Sequence, residues 1–182
     1  MSKLIKNTTT IAAGLAFAAV LSACATFSKA PAPGTPLAEV TAKLGKPTAV
    51  YPDAGGGQVL EYRGQPMGQF QHMARIGADG RLVSYTQVLT NENFARIGAR
   101  TGTGGLARWT RDDVLREFGR PAEMTRARPT GAHPDDAEVW SYRYKDDGVW
   151  NSLMNVYFSA NGVVLHTAKS ADPVLDERFK GM

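Results

Sequence analysis

The chain has 182 residues, 43% hydrophobic and 21% charged, a globular composition sufficient for one ordinary domain or two small ones. Its formal charge is +4; without Lys3 and Lys6 of the first 23 residues it carries 19 basic against 17 acidic groups, or +2, spread along the chain and too weak to argue for a nucleic-acid partner. The single cysteine, Cys24, excludes an internal disulfide and a Cys-based zinc site.

The N-terminus reads as an address. Lys3 and Lys6 precede an apolar run from Ile11 to Leu21. That run has the length of a signal-peptide core and falls short of the roughly 20 residues of a membrane-spanning helix. It ends in Leu21-Ser22-Ala23-Cys24, an aliphatic residue and two small ones before the only thiol. This resembles the bacterial lipobox. The resemblance implies removal of residues 1–23 as a lipoprotein signal peptide and acylation of Cys24. Each buried CH₂ is worth about 0.8 kcal/mol, so two or three chains on one Cys anchor firmly where one does not. Ala25 in place of Asp implies the outer membrane, lipid-anchored and periplasm-facing. Residues 24–34 then form a lipidated Cys with a Pro-rich tether, and Pro31 and Pro33 favour an extended chain of roughly 3 Å per residue.

The folded part reads as an internal duplication. Val40, Leu44, Gly45, Lys46 and Pro47 match Val114, Phe118, Gly119, Arg120 and Pro121 at a constant offset. Each segment predicts a short amphipathic helix. Thr110 is an N-cap candidate with Asp113 at the capping-box position, and Pro36 suits a first helical turn. Val40 and Leu44 share one face, as do Val114 and Phe118. Gly45 and Gly119 are expected as left-handed C′ residues, with Pro47 and Pro121 forbidding continuation.

A β-like stretch follows each helix: 58–63, then 138–144, with Tyr62-Arg63 answering Tyr142-Arg143. Asp79-Gly80 and Asn161-Gly162 between alternating apolar runs predict a hairpin in each copy. The drift in offset places an insertion chiefly at 127–137. Asn91 to Ile97 predicts a helix with Phe94 and Ile97 on one face, a linker or the first helix of the second copy, followed by a Gly-rich segment, 98–105. The expected fold class is α+β: two tandem repeats, each one or two short helices on a roughly three-stranded antiparallel sheet. The expected boundaries are 35–90 for the first repeat, 91–172 for the second and 173–182 for a C-terminal tail.

The Thr110–Pro121 and Tyr157–Val164 segments, echoed by Thr35–Pro47 and Ala78–Val83, resemble the SmpA/OmlA (BamE-like) family of outer-membrane lipoproteins. The tandem form is similar to the β-lactamase inhibitor proteins. The first resemblance implies a non-catalytic protein-interaction module in envelope and outer-membrane assembly or maintenance. Its partners would be the outer membrane, through the acyl chains on Cys24, and an envelope protein, the β-barrel assembly machinery being the candidate. The second implies an alternative, an inhibitor-like module that binds and blocks a periplasmic enzyme.

No catalytic constellation is expected, and no cofactor. His72, His133 and His166 lack metal-ligand spacing, so no metal site is expected either. The Gly-rich stretches lack a phosphate-gripping Gly-Lys-Ser/Thr ending, and Asp135-Asp136 and Asp146-Asp147-Gly148, without the spaced oxygen ligands of a Ca²⁺ loop, read as turns. Trp140, Tyr142 and Tyr144 alternate along one strand and so share a sheet face. They are the candidate partner-binding residues. The competing reading buries them beneath the helices, which the matching Leu60 and Tyr62 favour.

Overall fold

The computed structural model describes residues 30–101 and 108–175, with the side chains of 98–101 left aside. Cys24, the signal segment, most of the tether, residues 102–105 of the Gly-rich segment and residues 176–182 of the C-terminal tail lie outside the described residues. From Pro31 on, the chain belongs to one compact unit.

Two four-stranded antiparallel sheets dominate it. The first is a meander of β1 (Ala49–Pro52), β2 (Gln58–Arg63), β3 (Gln71–Ile76) and β4 (Leu82–Gln87). The second repeats the plan with β5 (Glu123–Arg126), β6 (Glu138–Asp146), β7 (Trp150–Phe158) and β8 (Val164–Ala171). Helix α1 (Leu37–Leu44) precedes the first sheet, α2 (Asn91–Thr101) links the two, and α3 (Arg111–Phe118) precedes the second.

This corrects the expected α+β class. The protein is mostly β, with 41% of residues in strands and 19% in helices. Two physical reasons account for the difference. Helices α1 and α3 stop after eight residues, where Gly45 and Gly119 take φ of 82° and 69° and a proline follows two positions later. Each sheet also gains a four-residue edge strand, β1 or β5, directly after that proline. The two glycines differ from a left-handed cap as well: their ψ values are −171° and −164°, a region essentially reserved for glycine.

The cap at Thr110 forms as its residues dictate. Its hydroxyl accepts from the Asp113 amide while Asp113 accepts from the Thr110 amide. Pro36, at the start of α1, offers no such side chain. Both helices are nonetheless fixed to their own hairpin in the same way. Leu37 N donates to Gly80 O, and Arg111 N donates to Gly162 O, each at 3.0 Å.

Val40 of α1 packs on one face of the first sheet with Leu60, Ala74, Ile76 and Leu82. A larger core joins the opposite face to the rest. It unites Val59 and Met73 with Phe94 and Ile97 of α2, Val114 and Phe118 of α3, and Trp140, Tyr142, Val156 and Phe158 of the second sheet. Phe94 stacks on Phe118 with ring centroids 5.0 Å apart and meets Tyr144 edge-on at 5.1 Å. The first sheet is thereby covered on both faces, which explains the run of consecutive buried residues Val59, Leu60 and Glu61. Among the described residues, no helix is long and apolar enough to cross a membrane.

Candidate functional site

The alternating aromatics form core. Trp140, Tyr142 and Tyr144 are 3%, 0% and 0% exposed, and Tyr142 donates to Gly119 O at 2.9 Å. Buried this far, they offer no face to a partner, which corrects their candidacy as partner-binding residues. Alternation fixed their common face but could not tell which face α2 and α3 cover.

Among the described residues, large apolar side chains reach solvent at Val50, Val83, Met124 and Val174, scattered singly, and at two hairpins, where they come in pairs. Met67 and Phe70 lie in the β2–β3 connection and are 50% and 56% exposed; Val149 and Trp150, at the β6–β7 turn, are 66% and 69% exposed. These are the equivalent hairpins of the two halves, and hydrogen bonds tie them together. Gln69 Nε2 donates to Asn151 Oδ1 at 2.9 Å and to Tyr144 O at 3.3 Å. Gln65 exchanges bonds with Arg143: its Nε2 donates to Arg143 O at 2.6 Å, and its Oε1 accepts from Arg143 N at 3.3 Å. Phe70 follows Gln69 and Trp150 precedes Asn151, so both aromatics stand at this junction.

The backing is unusually polar and buried. Arg143, 3% exposed, donates to Pro66 O and to the carboxylate of the fully buried Asp172. A charge held out of water in this way needs its partner, so the pair fixes the loop in one place. The turn beneath Trp150 is equally constrained. Asp147 and Gly148 take φ of 47° and 75°, and Val149 N donates to Asp146 O at 3.0 Å, a tight turn within the three-residue connection 147–149. Asn91, opening α2, donates to Asp146 and Asp147 at 2.6 and 2.7 Å and accepts from Tyr144 OH at 2.9 Å. Hydrogen bonding from Lys169, then from Asn91, holds the Asp146 carboxyl below the usual range. Burial, reinforced by Asp146 and Asp147, pushes the Tyr144 hydroxyl up to about 12. Asp146-Asp147-Gly148 is the turn its sequence suggested.

A second feature is an open cleft of about 330 Å³ between the first sheet, α2 and α3. Arg75, Arg96 and Arg116 line it, but their charges are answered internally. Arg75 meets Asp53 at 2.5 Å and Glu117 at 2.9 Å, Arg96 meets Glu117 at 3.6 Å, and Arg116 meets Asp113 at 3.0 Å. The cleft is therefore a braced seam more than an anion trap.

Histidines that are far apart in sequence come together in space. His133 and His166 stack with centroids 4.0 Å apart, and Asp136 lies beside them. These three are the described residues that could hold a metal ion. His72 stands apart from them, stacked on Tyr85 at 5.0 Å, and burial lowers its pKa. Neither the exposed hairpin pair nor this cluster was legible from spacing, since each joins segments tens of residues apart.

No protein-family model, no curated protein and no solved structure matches this chain.

Proposed function

We propose that the chain is an outer-membrane lipoprotein of the SmpA/OmlA type. Acyl chains on Cys24 hold it to the membrane, and its domain binds an envelope protein without catalysing a reaction. One observation carries the binding role: Met67, Phe70, Val149 and Trp150 stand in solvent on two hairpins joined by hydrogen bonds from Gln65 to Arg143 O and from Arg143 to Pro66 O. Large exposed apolar groups cost solubility unless they are covered, and Trp and Phe on a rigid base lose little entropy on docking. The chemistry suits a protein surface with an apolar pocket, in keeping with a role in envelope assembly or maintenance.

Affinity capture of the full chain from membranes tests the reading. Wild-type protein is expected to retain a defined envelope protein, and Phe70→Ala with Trp150→Ala to lose it while folding normally. Capture of outer-membrane assembly subunits supports the assembly role, and a soluble periplasmic hydrolase supports inhibition instead. Equal capture by wild type and double variant removes the hairpin pair from the interface. The anchor is tested separately: Cys24→Ser must abolish fatty-acid labelling and release the protein from membranes.

A further inference from the structure

The second half carries an insertion, residues 127–137, where the first half turns between β1 and β2 over residues 53–57. That loop brings His133 and Asp136 against His166 of β8. The register equivalent of His166 in the first half is Ser84: Tyr157 pairs with His166 as Arg75 pairs with Ser84. The insertion and the histidine therefore occur together, in one copy only.

We propose that His133, Asp136 and His166 bind a divalent ion of the zinc class and that this ion clamps the 127–137 loop to the edge strand β8. His166 Nε2 lies 3.0 Å from both carboxylate oxygens of Asp136. Zinc holds nitrogen and oxygen ligands at about 2.0–2.2 Å in a tetrahedron, which sets neighbouring donors roughly 3.4 Å apart, so the 3.0 Å between His166 Nε2 and the Asp136 carboxylate opens by only a few tenths of an ångström to admit the ion. One donor atom from each of the three residues falls within 4.8 Å of the others. Asp136 is 5% exposed, and among the described residues His166 is the hydrogen-bond partner of its carboxylate. A buried carboxylate so thinly partnered favours a cation. An ordinary His–Asp hydrogen bond accounts for Asp136 and His166 but not for the second imidazole beside them.

His133 must move for the set to close. An ion lies in the plane of each imidazole that binds it, whereas the two rings are stacked with an interplanar angle of 20°. His133 is exposed and free to turn about its side-chain bonds. His166 is already held, with Tyr157 stacked on it at 4.3 Å. Two imidazoles and one carboxylate suit zinc, with copper or nickel as competitors at the same donors.

Calorimetric titration of the full chain with Zn²⁺ alone tests the site. One ion per chain is expected. His133→Ala, which touches an exposed side chain, and Asp136→Asn should each weaken binding at least tenfold. His72→Ala and Cys24→Ser should leave it unchanged. Zn²⁺ should raise Tm of the wild type and leave that of His133→Ala where it was. Failure of the wild type to take up zinc, or affinity that follows His72 or Cys24 instead, overturns the proposal. Because His133→Ala is expected to fold without the ion, loss of binding there separates coordination from misfolding.

Discussion

The dipeptide Tyr-Arg occurs at the same place in both halves, and the halves use it differently. Tyr62 donates to Gly45 O at 3.3 Å near the surface, and Tyr142 donates to Gly119 O at 2.9 Å in full burial. Arg63 reaches only a carbonyl, Pro121 O at 2.8 Å, whereas Arg143 is ion-paired with buried Asp172 and also holds Pro66 O. The first half thus keeps the contact that closes its own helix. In the second, the same contact sits in the joint between the sheets. Burial turns a marginal interaction into a structural one, because an unmade bond there is not replaced by water.

Substitutions can sharpen that contrast. The largest effect is expected at the ion pair. Asp172→Ala leaves the Arg143 charge buried with only the exposed Glu123 carboxylate, 4.0 Å away, to answer it, at a cost of about 3 kcal/mol in urea unfolding. Arg63→Met, removing a partly exposed bond, should cost about 1 kcal/mol. Equal losses would show that burial does not distinguish the two arginines.

Next come the glycines that end α1 and α3. Both occupy a strained region, which costs roughly 1–3 kcal/mol for another residue. A Cβ on Gly45 meets open space, but one on Gly119 would overlap Gln71 Nε2 and approach Glu61 Cδ to 2.8 Å. Gly119→Ala should therefore lower Tm well beyond Gly45→Ala. The tyrosines follow. Tyr142→Phe is expected to cost about 1–3 kcal/mol, by orphaning Gly119 O, and Tyr62→Phe a few tenths.

Acid gives the smallest effect. Hydrogen bonding from Arg75 lowers the pKa of Asp53, and in Asp113 the bonds to Thr110 and Arg116 outweigh burial, which would raise it. A carboxyl whose folded pKa is depressed contributes stability above its unfolded value, about 3.9, and loses it as pH falls through the folded value. The urea midpoint should accordingly fall below about pH 4. Asp113→Asn should flatten that fall in the second half's helix, where α1 has no capping carboxylate to titrate.

Much of the fold was legible because its signals are local. Thr110 with Asp113 and Asn161-Gly162 each fix a cap or turn within a few residues, and both form; Gly119 before Arg120-Pro121 ends α3 where expected, but not as a left-handed cap. The class was misread because β1 and β5 carry little pattern. Residues 123–126 are exposed throughout, and β1, although its burial alternates, reads Ala-Val-Tyr-Pro, so neither sequence shows the apolar–polar alternation that marks a strand. The candidate sites were harder still. Trp140, Tyr142 and Tyr144 announced one shared face, but its covering comes from α2 and α3. Phe70 and Trp150 are brought to one junction by Gln69 and Asn151, a relation between hairpins that no spacing encodes.

Photo-crosslinking in living cells addresses the binding role most directly. A benzophenone side chain would be placed at position 70 or 150, and at position 83 as an exposed control on the first hairpin turn's strand. The account predicts adducts of one and the same envelope protein from 70 and 150 and none from 83. Silence at both hairpin positions, or the same adduct from 83, would contradict it.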